Sequence, residues 1–183
     1  MINTFSDLIV YAKKLLPQKQ LETTVKELAL EVDKRFFHSK LECIILMNGA
    51  YQLVSDLSKW LTVPCIMNFQ KVSRYENDVP SKELNSIQIP VLSEDNRPIL
   101  VIDDVFDEGI TLSEVVYTLR KLNPTRHVYS LVLLAKDKHR KVTYVPDFIG
   151  MTIKDVYVFG YGMDLSEKWR HLPEVWEVTS KTN

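Results

Sequence analysis

The sequence predicts an α/β domain built on a mostly parallel sheet flanked by helices. Three observations predict it. The apolar runs Cys43–Met47 and Ile99–Ile102 are continuous rather than alternating, as expected of strands covered on both faces. Each leads into a helical apolar pattern, Leu53, Val54, Leu57 and Leu61 after the first and Val115, Val116, Leu119 and Leu122 after the second. A length of 183 residues with 45% hydrophobic content and no low-complexity tract or internal repeat fits one core, so residues 1–183 read as a single domain.

Along the chain, apolar periodicity predicts helices over about residues 4–16 and 20–37, an N-terminal segment of 1–38 that carries no readable chemistry. A strand over 41–47, a helix over 50–61 and a strand over 64–72 follow. Residues 73–97 read as a loop region with one strand at 86–92, because Glu76–Asn85 is polar, lacks glycine and is interrupted by Pro80. The strand 98–104 and the helix 110–122 come next, with Pro124 marking the stop. Strands over 127–136 and 156–161 complete the sheet, and the tail from Pro173 packs back on it.

Charge and cysteine content exclude several classes. A net charge of −1 and an isoelectric point near 6.4 give no bulk attraction to nucleic acid or a membrane surface. The short basic run at 136–141 reads as a solvated edge. Cys43 and Cys65 sit in apolar strands, which argues for reduced thiols over a disulfide framework or a zinc site. His38, His127, His139 and His171 lack metal-ligand spacing. No apolar run reaches the ~20 residues of a membrane span, and the acidic start does not read as a signal peptide. A cytoplasmic location is expected.

The chemistry concentrates at 98–111, Pro-Ile-Leu-Val-Ile-Asp-Asp-Val-Phe-Asp-Glu-Gly-Ile-Thr. A buried strand ends on Asp103 and Asp104, then turns through Asp107 and Gly109 into a helix. Parallel sheets bind ligands at the carboxyl ends of their strands, and a helix start offers free N–H groups to a phosphate. Asp107 alone reads as a helix cap. Three carboxylates within five residues repel one another, a placement explained by a bound cation or hydroxyl-rich ligand.

This segment resembles the phosphoribosyl-diphosphate (PRPP) motif of the type I phosphoribosyltransferases, departing only at Glu108, where the family has a small hydroxyl residue. Residues 146–173 look like the end of the hypoxanthine-guanine branch, so the chain is identified as a divergent member of that branch. The resemblance implies a type I fold with a flexible lid loop and a small C-terminal hood over the base, formed by 146–178. It implies transfer of 5-phosphoribose from PRPP to hypoxanthine or guanine with Mg²⁺ as cofactor, in a homodimer or homotetramer that binds neither nucleic acid nor membrane.

The resemblance also distributes roles. It implies Asp107 as the general base. Asp103, Asp104, Glu108, Gly109, Ile110, Thr111, Asn48, Gly49 and Arg170 fall to PRPP and its phosphates, and Lys136, Tyr157, Val158 and Asp164 to the purine. Asp103, Asp104 and Asp164 are the implied metal ligands, and Ser73 and Tyr75 belong to the lid. The residue chemistry agrees. A tyrosine offers a flat face worth roughly 1–3 kcal/mol to a stacked base. A lysine donates to a purine 6-oxygen but repels an exocyclic amine, so Lys136 favours 6-oxopurines over adenine. For Asp107, acidic neighbours are expected to raise the pKa. Because Asn48 and Glu108 remove positive or neutral character from phosphate-binding surfaces, the alternative is a PRPP- or nucleotide-binding regulatory protein with little turnover.

Overall fold

Continuous apolar strands place both faces of a sheet under helices, and the computed structural model has this arrangement. It describes residues 10–71, 90–140 and 142–179 fully, and 75–76 and 79–80 as backbone. In chain order the elements are β1 (Ala12–Leu16), α1 (Gln18–Arg35), β2 (Leu41–Met47), α2 (Tyr51–Leu57), β3 (Cys65–Lys71), β4 (Tyr75–Glu76) and β5 (Val79–Pro80). Then come β6 (Ile99–Phe106), α3 (Ile110–Leu122), β7 (Val128–Asp137), β8 (Phe148–Lys154), β9 (Val158–Phe159) and β10 (Val175–Val178).

The main sheet has five parallel strands in the order β3-β2-β6-β7-β8. Alternate side chains of each strand feed opposite cores. Cys43, Ile45, Leu100 and Ile102 pack with α1 and α2. Ile44, Leu46, Ile99 and Val101 pack with Leu112, Val115, Val116 and Leu119 of α3. Successive strand residues point to opposite faces, so an unbroken apolar run is what two helical layers require. β2 and β6 are neighbours in the sheet although β3 separates them in sequence, and a ligand crevice opens where the order reverses in this way.

A second sheet, antiparallel and of three strands, is ordered β1-β10-β9. Residues 12–16 are therefore a strand rather than the end of a helix over 4–16; residues 1–9 lie outside the described residues. Ala-Lys-Lys-Leu-Leu consists of strong helix formers, and pairing of Ala12 with Val178 and Lys14 with Trp176 overrides that propensity. The strand expected over 156–161 shrinks to Val158–Phe159 and belongs to this small sheet. The fifth strand of the main sheet is β8, Phe-Ile-Gly-Met-Thr-Ile-Lys, whose internal glycine reads as a break in a strand pattern.

Of the expected strand over 86–92, residues 86–89 lie outside the described residues and 90–92 join no sheet. Beyond them, the chain is fastened beneath the sheet. Ser93 donates through its N–H and hydroxyl to Glu42, which is buried and paired with Arg126 at 2.6 Å. Arg126 also donates to the Arg97 carbonyl at 2.8 Å. Cys43 and Cys65 are both free thiols. Among the described residues, no helix is long and apolar enough to cross a membrane.

Candidate active site

The carboxyl ends of β2 and β6 border a cleft of about 420 Å³, lined by residues 46–49 and 103–112 together with Asp164 and Arg170. Residues from three distant parts of the chain meet there. Gly49 is the hinge of that meeting. A side-chain carbon at Gly49 would lie 1.9 Å from Asp104 Oδ2, and one at Gly162 would lie 2.1 Å from the Gly49 carbonyl oxygen. Both contacts are closer than any side chain permits, so glycine is what lets the three loops pack. The Met47–Asn48 peptide is cis, and Asn48 is exposed at the rim.

Asp103 and Asp104 end the buried part of β6. Burial and the adjacent Asp104 charge push the Asp103 carboxyl well above the usual carboxylate range. Burial also raises Asp104, against backbone hydrogen bonds and the Arg170 charge that pull it down. Arg170 is held in place by Asp164 at 2.7 Å and by donation to the Gly162 carbonyl at 2.8 Å. Tyr51 donates its hydroxyl to the Arg170 carbonyl, which ties that loop to α2.

The turn from β6 to α3 is built around Gly109, whose φ of 78° opens the helix without a side-chain cap. The first N–H groups of α3 therefore face the cleft region with no side-chain acceptor. Gly109, Ile110 and Thr111 line that cleft.

Asp107 lies in the turn, directly after Phe106 ends β6. Lys136 donates to its Oδ2 at 2.6 Å, and Lys138 forms an ion pair with its other oxygen. Burial raises the Asp107 pKa, but the hydrogen bonds from Lys136 and Lys138 outweigh it and hold the carboxyl below its ordinary range. The expectation of a raised pKa is thus corrected, because lysines and not acids are its nearest partners. Lys136 is buried and the Lys138 side chain is only 16% exposed, so these two lysines do not belong to a solvated edge, whereas Asp137 and His139 beside them are exposed. Arg140 donates to the Asp107 carbonyl at 2.8 Å and to that of Phe106 at 3.3 Å, stapling this segment over the turn. The sequence reading missed Lys138 and Arg140. No local spacing marks them, since only the parallel register of Phe106 with Ala135 carries the residues after Ala135 past the end of β6.

Val158 begins β9 of the small sheet and Tyr157 immediately precedes it; neither they nor Lys136 are among the residues that line the cleft. The Tyr157 ring is half-exposed, and its hydroxyl donates to the Asp164 carbonyl at 3.1 Å. Val178 N–H donates to the Tyr157 carbonyl at 2.9 Å, so 157 and 178 are a hydrogen-bonded pair of the antiparallel ladder. The next pair, Val158 and Glu177, must then be non-hydrogen-bonded, which leaves the Val158 N–H and C=O facing away from β10. Ser73 lies outside the described residues, and of Tyr75 only the backbone is described.

A phosphoribosyl transferase domain model matches residues 12–168 of the chain, which holds all of the site except Arg170. Hypoxanthine-guanine phosphoribosyltransferase of Bacillus subtilis is 33% identical, over 89% of this chain and 91% of its own. The chain belongs to the hypoxanthine-guanine phosphoribosyltransferase family. Hypoxanthine phosphoribosyltransferase of Buchnera aphidicola is 32% identical, over 92% of this chain and 97% of its own. A solved hypoxanthine phosphoribosyltransferase of Staphylococcus aureus superposes with a TM-score of 0.85, covering 98% of this chain and 97% of that one at 26% identity. Family membership makes the protein a pentosyltransferase with the type I fold.

Mg²⁺ is the cofactor that this family implies. Asp103 and Asp104 supply hard oxygen donors, which suit an ion that binds through one or two carboxylates and substrate oxygens. Asp164 borders the same cleft but is engaged with Arg170, and among the described residues no cluster of three acidic, histidine or cysteine side chains forms a protein-only cage. The residues fit an ion that arrives with a diphosphate.

Proposed function

We propose that this protein salvages 6-oxopurines by transferring 5-phosphoribose from PRPP to hypoxanthine or guanine, giving IMP or GMP and pyrophosphate. The observation that carries this reading is the meeting of Gly49, Asp104 and Arg170 at the reversal point of the sheet, beside an uncapped helix start.

Asp103 and Asp104 bind the ribose hydroxyls and would hold Mg²⁺. The 5′-phosphate rests on the N–H groups of Gly109–Thr111. Bound Mg²⁺ supplies positive charge that stabilises the departing diphosphate. Arg170 adds a second cation on that side, and Gly49 admits the leaving group close to backbone N–H. Tyr157 stacks on the purine, Lys136 donates to its 6-oxygen, and the outward polar groups of Val158 reach the base edge. As the bond from ribose C1′ to the diphosphate oxygen breaks, purine N9 forms the new C1′–N9 bond. Asp107 accepts the proton from N7. Its two lysine partners keep it ionised, so it enters the reaction ready to accept.

The test is a spectrophotometric assay with PRPP, Mg²⁺ and each of hypoxanthine, guanine, xanthine and adenine. Turnover with hypoxanthine or guanine and none with adenine is the expected result. Tight IMP binding without turnover would refute catalysis and return the protein to the regulatory class.

A further inference from the structure

Glu108 places a carboxylate immediately before the glycine that opens α3, on the turn assigned to a phosphate. Left alone, it would repel that phosphate or fold over the free N–H groups and take their place. It does neither. Its Oε1 lies 2.8 Å from Lys138 Nζ, and the Glu108 side chain is 54% exposed while that of Lys138 is 16% exposed. Lys138 reaches this position because β7 runs parallel to β6 and carries the chain beyond it, and because Arg140 fixes the 136–140 turn against the Phe106 and Asp107 carbonyls. The Lys138 N–H also donates to the Lys136 carbonyl at 3.1 Å, which makes the turn tight. The ammonium is shared with Asp107 and, at 3.4 Å, with Asp155, so it is anchored on three sides.

We propose that Lys138 is a positioning residue that draws Glu108 off the start of α3 and cancels its charge, so that a phosphate can be held there. This inference rests on the reading of the 107–111 turn as the phosphate site. Lys138 does not touch the phosphate in this arrangement; it acts through Glu108. Its effect therefore depends on Glu108 being present, which separates it from an ordinary phosphate-binding lysine and from a purely structural one.

The experiment uses the full chain and inorganic phosphate as probe, with binding followed at the backbone amide signals of Gly109–Leu112 at one ionic strength. Wild type, Lys138→Met, Lys138→Arg, Glu108→Thr and the Lys138→Met/Glu108→Thr double variant are compared. Lys138→Met is expected to weaken phosphate binding about tenfold, Lys138→Arg to keep it, and Glu108→Thr to bind phosphate at least as tightly as wild type. In the Glu108→Thr background, Lys138→Met should change binding by less than about twofold. An equal loss in both backgrounds, no loss in either, or no phosphate response at these amides in any variant would overturn the proposal. If the phosphate pattern holds while the purine assay shows no turnover, only the catalytic reading fails.

Discussion

The groups proposed for the phosphosugar and for the base are made in different ways. Asp103, Asp104 and Gly109–Thr111, proposed for the phosphosugar, come from one strand, one turn and one helix start, joined by Gly49 and Arg170, while the proposed base side combines Val158 of β9 and the preceding Tyr157 with Lys136 of β7 and a sheet closed by β1 and β10. A contiguous site inherits its geometry from local backbone rules. A composite site depends on pairings between segments far apart in sequence. Damage to the first should therefore remain local, whereas damage to the second should separate base binding from PRPP binding.

The largest expected effect lies beneath both regions. Glu42→Ala leaves Arg126 buried without its partner and releases Ser93, and it should lower folding stability by about 3–5 kcal/mol in urea titrations. If stability falls by less than about 1 kcal/mol, the sheet base is not the common support of the two sides. Asp107→Asn should lower turnover by about 10²-fold or more with nucleotide affinity largely kept, read from kcat and from IMP binding. A variant with full turnover would remove the chemical step from the turn.

Tyr157→Ala removes the exposed ring from the base side. KM for the purine should rise by roughly 5- to 150-fold, the equivalent of a stacking loss of about 1–3 kcal/mol, with the PRPP dissociation constant unchanged. Parallel losses for both substrates would break the distinction between the two sides. The smallest effect concerns pH. The Asp107 carboxyl is held below its ordinary value, so it contributes stability that is present above about pH 4 and lost as pH falls through the folded-state pKa. The stability difference between wild type and Asp107→Asn should accordingly be flat from about pH 5 to 8 and shrink in acid, as measured by thermal unfolding across pH.

The same contrast governs what could be read from the sequence. The turn from Asp103 to Thr111 was legible because a strand end, an acidic pair, a glycine and a helix start follow one another without interruption, and α3 spans the residues its periodicity predicts. β1 was not legible, since its five residues favour a helix and only Val175–Val178, at the other end of the chain, make them a strand. β8 was missed because its glycine interrupts the pattern. The lysine partners of Asp107 were hidden for a related reason: Lys136 and Lys138 lie about 30 residues away, and only the parallel register of β7 with β6 brings them across. Side chains within one turn are visible as spacing, and those facing it from a neighbouring strand are not.

The pairing of β1 with β10 also sets an order of assembly. A nascent chain that has emerged as far as residue 160 already contains every strand of the parallel sheet, including the ends of β2 and β6 that border the cleft. It holds no partner for Ala12–Leu16 until Val175–Val178 follows, and contacts spanning some 160 residues carry a high loop-closure cost that slows their formation. Until then β1, with Ala12 and Leu16 destined for the interior, is an unpaired strand edge open to a wrong partner. The small sheet that carries Val158 is thus the last part of the molecule to be completed during synthesis.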